Sequence, residues 1–162
     1  MSTLEIRPAN PADIPALQEL FREYARSVGN EICFQTFEKE VAALPGAYAP
    51  PQGQILVATD TQTLAACVAL RPLTPEVYEN DICEMKRLYV RPAFRNTGLG
   101  RNLTDNTLTL AATLGYTALR LDTLPQMTAA IALYRKLGFL EIPPYADNPA
   151  SALCFEKLLK SV

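Results

Sequence analysis

Residues 84–103 read EMKRLYVRPAFRNTGLGRNL, and this stretch constrains the fold more than any other part of the chain. A strand-like run ends at Val90, Arg91-Pro92 stops it, and a helical pattern begins at Gly98-Leu-Gly100. A glycine-containing turn between a strand and a helix N-terminus points several backbone N–H groups at one spot, where the helix adds a partial positive charge. The stretch therefore predicts an anion-binding turn from Arg95 to Arg101.

Positive charge is concentrated in the same stretch. Five of the fifteen Lys and Arg residues fall within it: Lys86, Arg87, Arg91, Arg95 and Arg101. The net charge of −2 leaves the chain without a global basic field, so we expect no nucleic acid and no membrane as partner, and a phosphate-bearing small molecule instead. Two plainer interpretations stay open, a solvated charged face and a turn whose glycines only supply a positive φ.

Composition indicates an ordinary globular protein. The chain has 162 residues, 49% of them hydrophobic and 20% charged, which predicts one domain over residues 1–162. No apolar run reaches signal-peptide or membrane-span length, so we expect a cytoplasmic protein. The cysteines lack CxxC and CxxH spacing and are expected to be reduced and mostly buried; they are Cys33, Cys67, Cys83 and Cys154.

The chain contains no histidine. This excludes Ser-His and Cys-His triads, histidine general bases and histidine-based metal sites, and we expect no metal. Any proton transfer must therefore use a carboxylate, Tyr, Lys, Cys or water.

Local patterns predict an ordered series of strands and helices. The first helix starts at the capping signal Asn10-Pro-Ala-Asp13 and ends at Gly29. The remaining predicted segments are strands over 4–7, 54–59, 64–70, 82–90, 116–122, 139–142 and 153–158, and helices over 37–44, 99–114 and 128–137. The order β-α-α-β-β-β-α-β-α-β-β indicates an α/β fold, with a mixed central sheet flanked by helices.

Two motifs make the chain similar to a known family. The stretch from Glu84 to Leu103 resembles the acyl-CoA signature R/Q-x-x-G-x-G/A that follows the fourth strand in the GNAT superfamily of N-acetyltransferases. Residues 130–139, AIALYRKLGF, resemble that family's later helix, which ends Y-x-x-x-G-F. The resemblance, to small bacterial members, covers nearly the whole chain. It implies the GNAT fold and an acetyltransferase that moves an acetyl group from acetyl-CoA to a primary amine by direct attack in a ternary complex.

The resemblance also implies where acetyl-CoA binds. Backbone groups of the fourth strand would pair with the pantetheine arm, and amides of the following turn would hold the pyrophosphate. The implied residues are Leu88, Tyr89, Val90, Arg95, Asn96, Thr97, Gly98, Leu99, Gly100 and Arg101. One departure is that Met127 stands where family members often carry Asn, seven residues before the helix tyrosine.

A general base is needed because an amine with a pKa near ~10.4 is largely protonated at neutral pH. Strand alternation predicts that Glu84, Lys86, Leu88 and Val90 share one face, and that Met85, Arg87 and Tyr89 share the other. Glu84 lies six residues before Val90, the spacing at which several GNAT enzymes carry a base glutamate, so it is the candidate base, acting through water. The alternative is a structural ion pair between Glu84 and Lys86.

In the implied reaction CoA leaves the thioester as a thiolate, so a general acid is expected to protonate its sulfur. The aligned family position makes Tyr134 the candidate, since its phenol would lie beside the sulfur. The alternative is a core aromatic residue whose hydroxyl reaches a partner.

The acceptor is the least determined part of the prediction. The polar loop from Pro143 to Pro149 lies where the family's acceptor sites are rimmed, which implies Tyr145 and Asn148 as acceptor-binding residues. A small-molecule amine, an amino acid and a peptide all stay open as acceptors, and so does the oligomeric state, with a homodimer as one option.

Two other functions are compatible with the pattern. One is an acyl-CoA-binding sensor without turnover. The other is a dinucleotide site, because Asp122 follows the glycine turn at the spacing of a ribose-binding acid, although Leu103 replaces the third glycine of that motif.

Overall fold

A computed structural model describes residues 3–29, 34–73 and 81–160. Its helices and strands follow the predicted order: β1 (Glu5–Pro8), α1 (Ile14–Val28), α2 (Phe34–Ala42), β2 (Gln54–Thr59), β3 (Leu64–Pro72), β4 (Ile82–Val90), α3 (Leu99–Thr113), β5 (Ala118–Thr123), α4 (Thr128–Lys136), β6 (Leu140–Ile142) and β7 (Leu153–Leu158). The strands form one sheet in the order β1-β2-β3-β4-β5-β7-β6, antiparallel except between β4 and β5. The predicted α/β class with a mixed central sheet is confirmed.

Local signals predicted most element ends to within two residues, although α2 begins at Phe34, three residues before the predicted start. The Asn10 side chain accepts the Ala12 N–H (3.0 Å) and Asp13 accepts the Asn10 N–H (2.8 Å), so the predicted start signal is a capping box, followed by a 3-10 turn and α1. Gly29 ends α1 with φ 68°. β5 begins two residues later than predicted, because the Tyr116 N–H is used by the end of α3, where it donates to Ala111 O.

The sheet separates two hydrophobic layers. One contains α3 and α4 and is built around Leu103, Leu119 and Phe155, each 0% exposed. The other contains α1 and α2 and is built around residues such as Leu17 and Phe21. Full burial of each such side chain contributes about 1.5–3 kcal/mol. The described part of the chain has no helix long and apolar enough to cross a membrane.

The cysteines behave as small apolar residues. Cys67, Cys83 and Cys154 are free and buried, as predicted, whereas Cys33 lies outside the described residues. Burial raises the pKa of Cys67 and of Cys83 to about 12, so both thiols stay protonated at neutral pH.

A bulge in β4 overturns the predicted alternation of its side chains. Arg87 has φ 62°, and the register with β3 shifts between Cys67 and Ala69. As a result Met85 and Leu88 both pack in the α3 layer, whereas Tyr89 packs in the α1 layer. The prediction that Met85 and Tyr89 share one face is wrong, because an extra residue on one strand reverses the alternation beyond it.

The same region opens a gap in the sheet. β4 pairs with β5 only where residues 82–84 face residues 118–120, while its other edge pairs with β3 as far as Val90. Beyond Glu84, the β5-facing edge of β4 has no strand partner among the described residues. Backbone donors and acceptors therefore line an opening in the middle of the sheet.

Candidate active site

Three adjoining cavities run through the gap between β4 and β5. The first, of about 450 Å³, lies along Leu88, Val90 and Gly100. Because these residues are predicted to bind acetyl-CoA, the acetyl donor, it is here called the donor cavity. The second, of about 320 Å³, lies on the α2 side of the gap and is here called the acceptor cavity, because part of the predicted acceptor-binding loop lines it. The third is a constriction of about 30 Å³ that is lined by residues of β4, β5 and α4. Tyr24 and Met127 line all three, so the cavities form one passage.

The predicted anion-binding turn has its donors free. The first backbone bond of α3 runs from Asn102 N–H to Gly98 O (3.0 Å), and the amides of the six residues from Asn96 to Arg101 donate to no described residue. Asn96 (φ 63°) and Gly98 (φ 82°) both adopt the left-handed conformation, which turns successive amides toward one side. Six unpaired amides at a helix N-terminus fit an anion, beyond what a plain turn requires.

The predicted cationic side chains are partly engaged. Arg95 donates to Val90 O (2.8 Å) and lies 5.6 Å over the Tyr89 ring, where it borders the donor cavity. Arg101 is half-exposed and forms a loose ion pair with Asp105 (3.9 Å). In this candidate anion site the organised donors are therefore backbone groups, and Arg95 and Arg101 add positive charge at its border.

Glu84 is buried, and both of its carboxylate oxygens are occupied. It is 1% exposed; Arg71 contacts Oε1 through Nε (2.9 Å) and Nη2 (2.8 Å), and the Tyr145 hydroxyl donates to Oε2. Lys86 instead lies near Asp122 (3.6 Å), so the ion pair between Glu84 and Lys86 does not form. Burial and the adjacent Glu84 carboxylate raise the pKa of Tyr145, which keeps that hydroxyl protonated.

Asp122, at the end of β5, is a site residue that sequence analysis assigned to a different role. It lines both the constriction and the acceptor cavity. Its Oδ2 accepts the Asn148 side-chain amide (2.9 Å), whereas the single contact of Oδ1 among the described residues is the longer one with Lys86 (3.6 Å). The available signal was a carboxylate at the carboxyl end of a strand parallel to β4, an edge where ligands often bind.

Tyr134 combines packing and access to the passage. Its ring lies 5.5 Å from Phe139 and 6.3 Å from Phe155, and it is 5% exposed. It also lines the constriction, and its hydroxyl has no hydrogen-bond partner among the described residues. Burial, with smaller contributions from Tyr24 and Asp122, raises the pKa of Tyr134, so the phenol stays protonated.

The loop over 143–149, here called the acceptor loop, docks against these carboxylates. Tyr145 reaches Glu84, and Asn148 reaches Asp122. The Asn148 Oδ1 also accepts the backbone N–H groups of Tyr145 and Ala146 (both 3.0 Å). Tyr145 and Asn148, predicted from sequence as acceptor-binding residues, anchor the loop to Glu84 and Asp122, and the loop residues that line the acceptor cavity are Asp147 and Pro149.

Arg87 links β4 to α2 through side-chain contacts that the sequence did not reveal. Its guanidinium donates to both oxygens of Glu40 on α2 (2.9 and 3.0 Å) and lies over the Tyr24 and Phe37 rings (5.5 and 5.3 Å). These contacts hold the strained bulge residue in place and tie β4 to α2 below the acceptor cavity.

A metal centre has no counterpart in the described ranges. They contain no group of three or more His, Cys, Asp or Glu residues that could hold a metal ion.

Comparisons with known proteins agree with this geometry. A family model described as Acetyltransferase (GNAT) family matches residues 14–139. An uncharacterized N-acetyltransferase of Schizosaccharomyces pombe is 36% identical over 149 residues, covering 91% of this chain and 89% of that protein. An acetyltransferase of the GNAT family from Staphylococcus aureus has a TM-score of 0.80 at 19% identity, covering 98% of this chain and 100% of the other. A Salmonella typhimurium protein solved with its cofactor acetyl-CoA has a TM-score of 0.72 at 19% identity, covering 97% and 94%.

Proposed function

The chain belongs to the GNAT acetyltransferase family, and from this premise we propose that it transfers the acetyl group of acetyl-CoA to a primary amine. The observation that carries the proposal is a cavity that borders the open edge of β4 and reaches, at Gly100, the turn whose six amides (residues 96–101) are unpaired among the described residues. A similar fold from Salmonella typhimurium was solved with acetyl-CoA, which supports the choice of donor.

The donor cavity suits the two chemical parts of acetyl-CoA. The amides of the turn and the nearby Arg95 and Arg101 would hold the pyrophosphate, since helix N-termini and cations both favour an anion. The backbone of Leu88 to Val90 would pair with the amides of the pantetheine arm, with the exception of Val90 O, which Arg95 already occupies. Such a placement directs the thioester toward the constriction.

The reaction is a direct displacement within the passage. The acceptor nitrogen attacks the thioester carbonyl carbon, the C–S bond breaks, and the amine loses a proton. The proposed step needs no covalent acetyl-enzyme, and the three thiols in the described residues, Cys67, Cys83 and Cys154, are buried.

Two carboxylates are candidates for the base. Glu84, the residue predicted from sequence, stays a candidate, but its oxygens already accept hydrogen bonds from Arg71 and Tyr145. The geometry favours Asp122, since it lines both the constriction and the acceptor cavity and, within the described residues, its Oδ1 has one long contact. We assign proton removal to Asp122, directly or through one water.

We assign to Tyr134 the stabilisation of the leaving CoA thiolate. Tyr134 lines the constriction, and its hydroxyl, unpaired among the described residues, would donate a hydrogen bond to the sulfur as negative charge develops. The raised pKa of Tyr134 widens the gap to a thiol, whose pKa is near ~8.5, so hydrogen bonding with late proton transfer is favoured over early proton donation.

Two measurements test the proposed function. Acetyl-CoA should raise the melting temperature while NADH should not, because only a ligand of the native state stabilises it. The enzyme should then release CoA from acetyl-CoA with at least one member of a panel containing 2-phenylethylamine, L-phenylalanine, L-lysine, spermidine and a tripeptide. Stabilisation by NADH alone would refute the donor assignment, and acetyl-CoA binding without CoA release would favour the sensor.

A further inference from the structure

The acceptor loop is held at two points by the carboxylates of the central strands. Tyr145 donates to Glu84 on β4, and Asn148 donates to Asp122 on β5 (2.9 Å). The residues between and after these anchors, Asp147 and Pro149, line the acceptor cavity. The anchors thus face the sheet while their neighbours form the wall of the cavity.

The Glu84 anchor is itself fixed by a third residue. Arg71 on β3 holds Glu84 Oε1 through two nitrogens, which leaves Oε2 to accept the Tyr145 hydroxyl. The carboxylate is 1% exposed, so water competes poorly for these bonds, and hydrogen bonds to a buried charged group are among the stronger ones in proteins. The Arg120 guanidinium lies 5.4 Å from the Tyr145 ring and packs against the same side chain.

We propose that Arg71, Glu84 and Tyr145 form a positioning chain that fixes the acceptor loop and thereby sets the affinity for the acceptor amine. The inference rests on the proposed function. It gives Glu84 a role that acts through the loop and leaves proton removal to Asp122. The chain determines how well the acceptor is held, and the donor cavity is unaffected because it lies on the other side of the constriction.

The first test is Tyr145→Phe, which removes one oxygen and leaves the ring. We expect the KM for the best amine of the panel to rise about fivefold or more, with kcat and the KM for acetyl-CoA changed less than twofold. Tyr116→Phe is the matched control, since its hydroxyl bonds elsewhere, to Gln52 O (2.7 Å), and it should leave both KM values unchanged. An unchanged acceptor KM in Tyr145→Phe would overturn the proposal.

The second test asks whether Glu84 positions the acceptor loop or acts as the base that removes the proton from the amine. A positioning role predicts that Glu84→Gln raises the acceptor KM and keeps the acidic limb of the kcat pH profile. It also predicts that adding Tyr145→Phe to Glu84→Gln has less than the full effect of Tyr145→Phe alone, because both substitutions weaken one contact. Loss of the acidic limb, or full additivity, would overturn the proposal.

A third readout is independent of the acceptor's identity. Hydrogen exchange at the amides of Tyr145 and Ala146, which donate to Asn148, should accelerate in Tyr145→Phe and stay unchanged in Tyr116→Phe. Unaltered exchange in Tyr145→Phe would contradict the anchoring role even if Glu84→Gln does not fold. Wild-type stabilisation by acetyl-CoA and wild-type CoA release test the proposed function separately, so the two failures are distinguishable.

Discussion

The donor and acceptor halves of the passage are built from different materials. The donor half uses the backbone of one short stretch, with the open edge of β4 and the free amides of residues 96–101. The acceptor half uses side chains brought together from distant positions: Tyr145 and Glu84 are 61 residues apart, Arg87 and Glu40 are 47 apart, and Asn148 and Asp122 are 26 apart. Both halves meet at the constriction beside Tyr134.

This difference predicts how each half responds to change. A backbone site tolerates most side-chain substitutions, because the N–H groups remain, and it fails only where a substitution blocks the ligand or alters the backbone. A side-chain site fails when any one contact is removed, because each partner is then left with an unsatisfied group. Acceptor specificity can therefore diverge while donor binding is retained.

The largest effect is expected in the side-chain half, at Asp122. Asp122→Asn removes the proposed base while keeping a similar shape, so kcat should fall by about two to four orders of magnitude. The affinity for acetyl-CoA, measured by calorimetry, should stay nearly unchanged. Asp81→Asn, at an exposed position before β4, is the control. Wild-type kcat in Asp122→Asn would return the role of base to Glu84.

The corresponding test of the backbone half is Gly98→Val. A Cβ at Gly98 would meet nothing within 4 Å, so it would extend into the open space over the turn, and φ 82° is strained for a branched residue. We expect acetyl-CoA to bind about ten- to hundredfold more weakly, as several charge-assisted hydrogen bonds weaken together.

Gly115→Val is the matched control for Gly98→Val. Gly115 also has a positive φ (94°) and its Cβ would also meet nothing within 4 Å, but it lies at the other end of α3 and does not line the donor cavity, so it should show a similar backbone strain with acetyl-CoA affinity unchanged. Equal losses in both variants would mean that the glycines serve the fold and that the turn is not the pyrophosphate site.

The junction of the two halves is tested by Tyr134→Phe. If the phenol donates to the leaving sulfur, kcat should fall about tenfold or more while acetyl-CoA binding is retained, since the ring still packs against Phe139 and Phe155. The defect should shrink with a donor thioester whose thiol is more acidic. Near-normal turnover, or a defect independent of the leaving group, would leave Tyr134 with a packing role only.

The smallest effect is expected at Met127, which lines all three cavities and stands at the N-cap of α4, where its side chain makes no capping hydrogen bond to the helix amides. Met127→Asn should supply that bond, stabilise the fold by about 1 kcal/mol and raise the melting temperature by roughly 2–4 °C. Met127→Leu should give no such rise. A lower melting temperature in Met127→Asn would show that apolar packing at the junction outweighs the cap.

Sequence alone determined the order of the elements and the position of the glycine turn that is proposed to bind the pyrophosphate. Apolar periodicity, the Asn10 cap, and the glycines at positions 29 and 98 are local signals, because they act through hydrogen bonds and backbone angles within a few residues. The donor half was predictable for the same reason, since its groups are contiguous.

Only the tertiary structure decided the acceptor half. The bulge at Arg87 reversed the side chains beyond it, so the face assigned to Tyr89 from alternation was wrong. The partners of Glu84 and Asp122 lie on other strands and loops. The local sequence pattern of a strand is the same whether its carboxylate is paired with an arginine, as Glu84 is with Arg71, or lines a cavity, as Asp122 does. Its chemistry depends on burial and on which charges the folded chain brings within a few ångströms, and neither is encoded in the residues beside it.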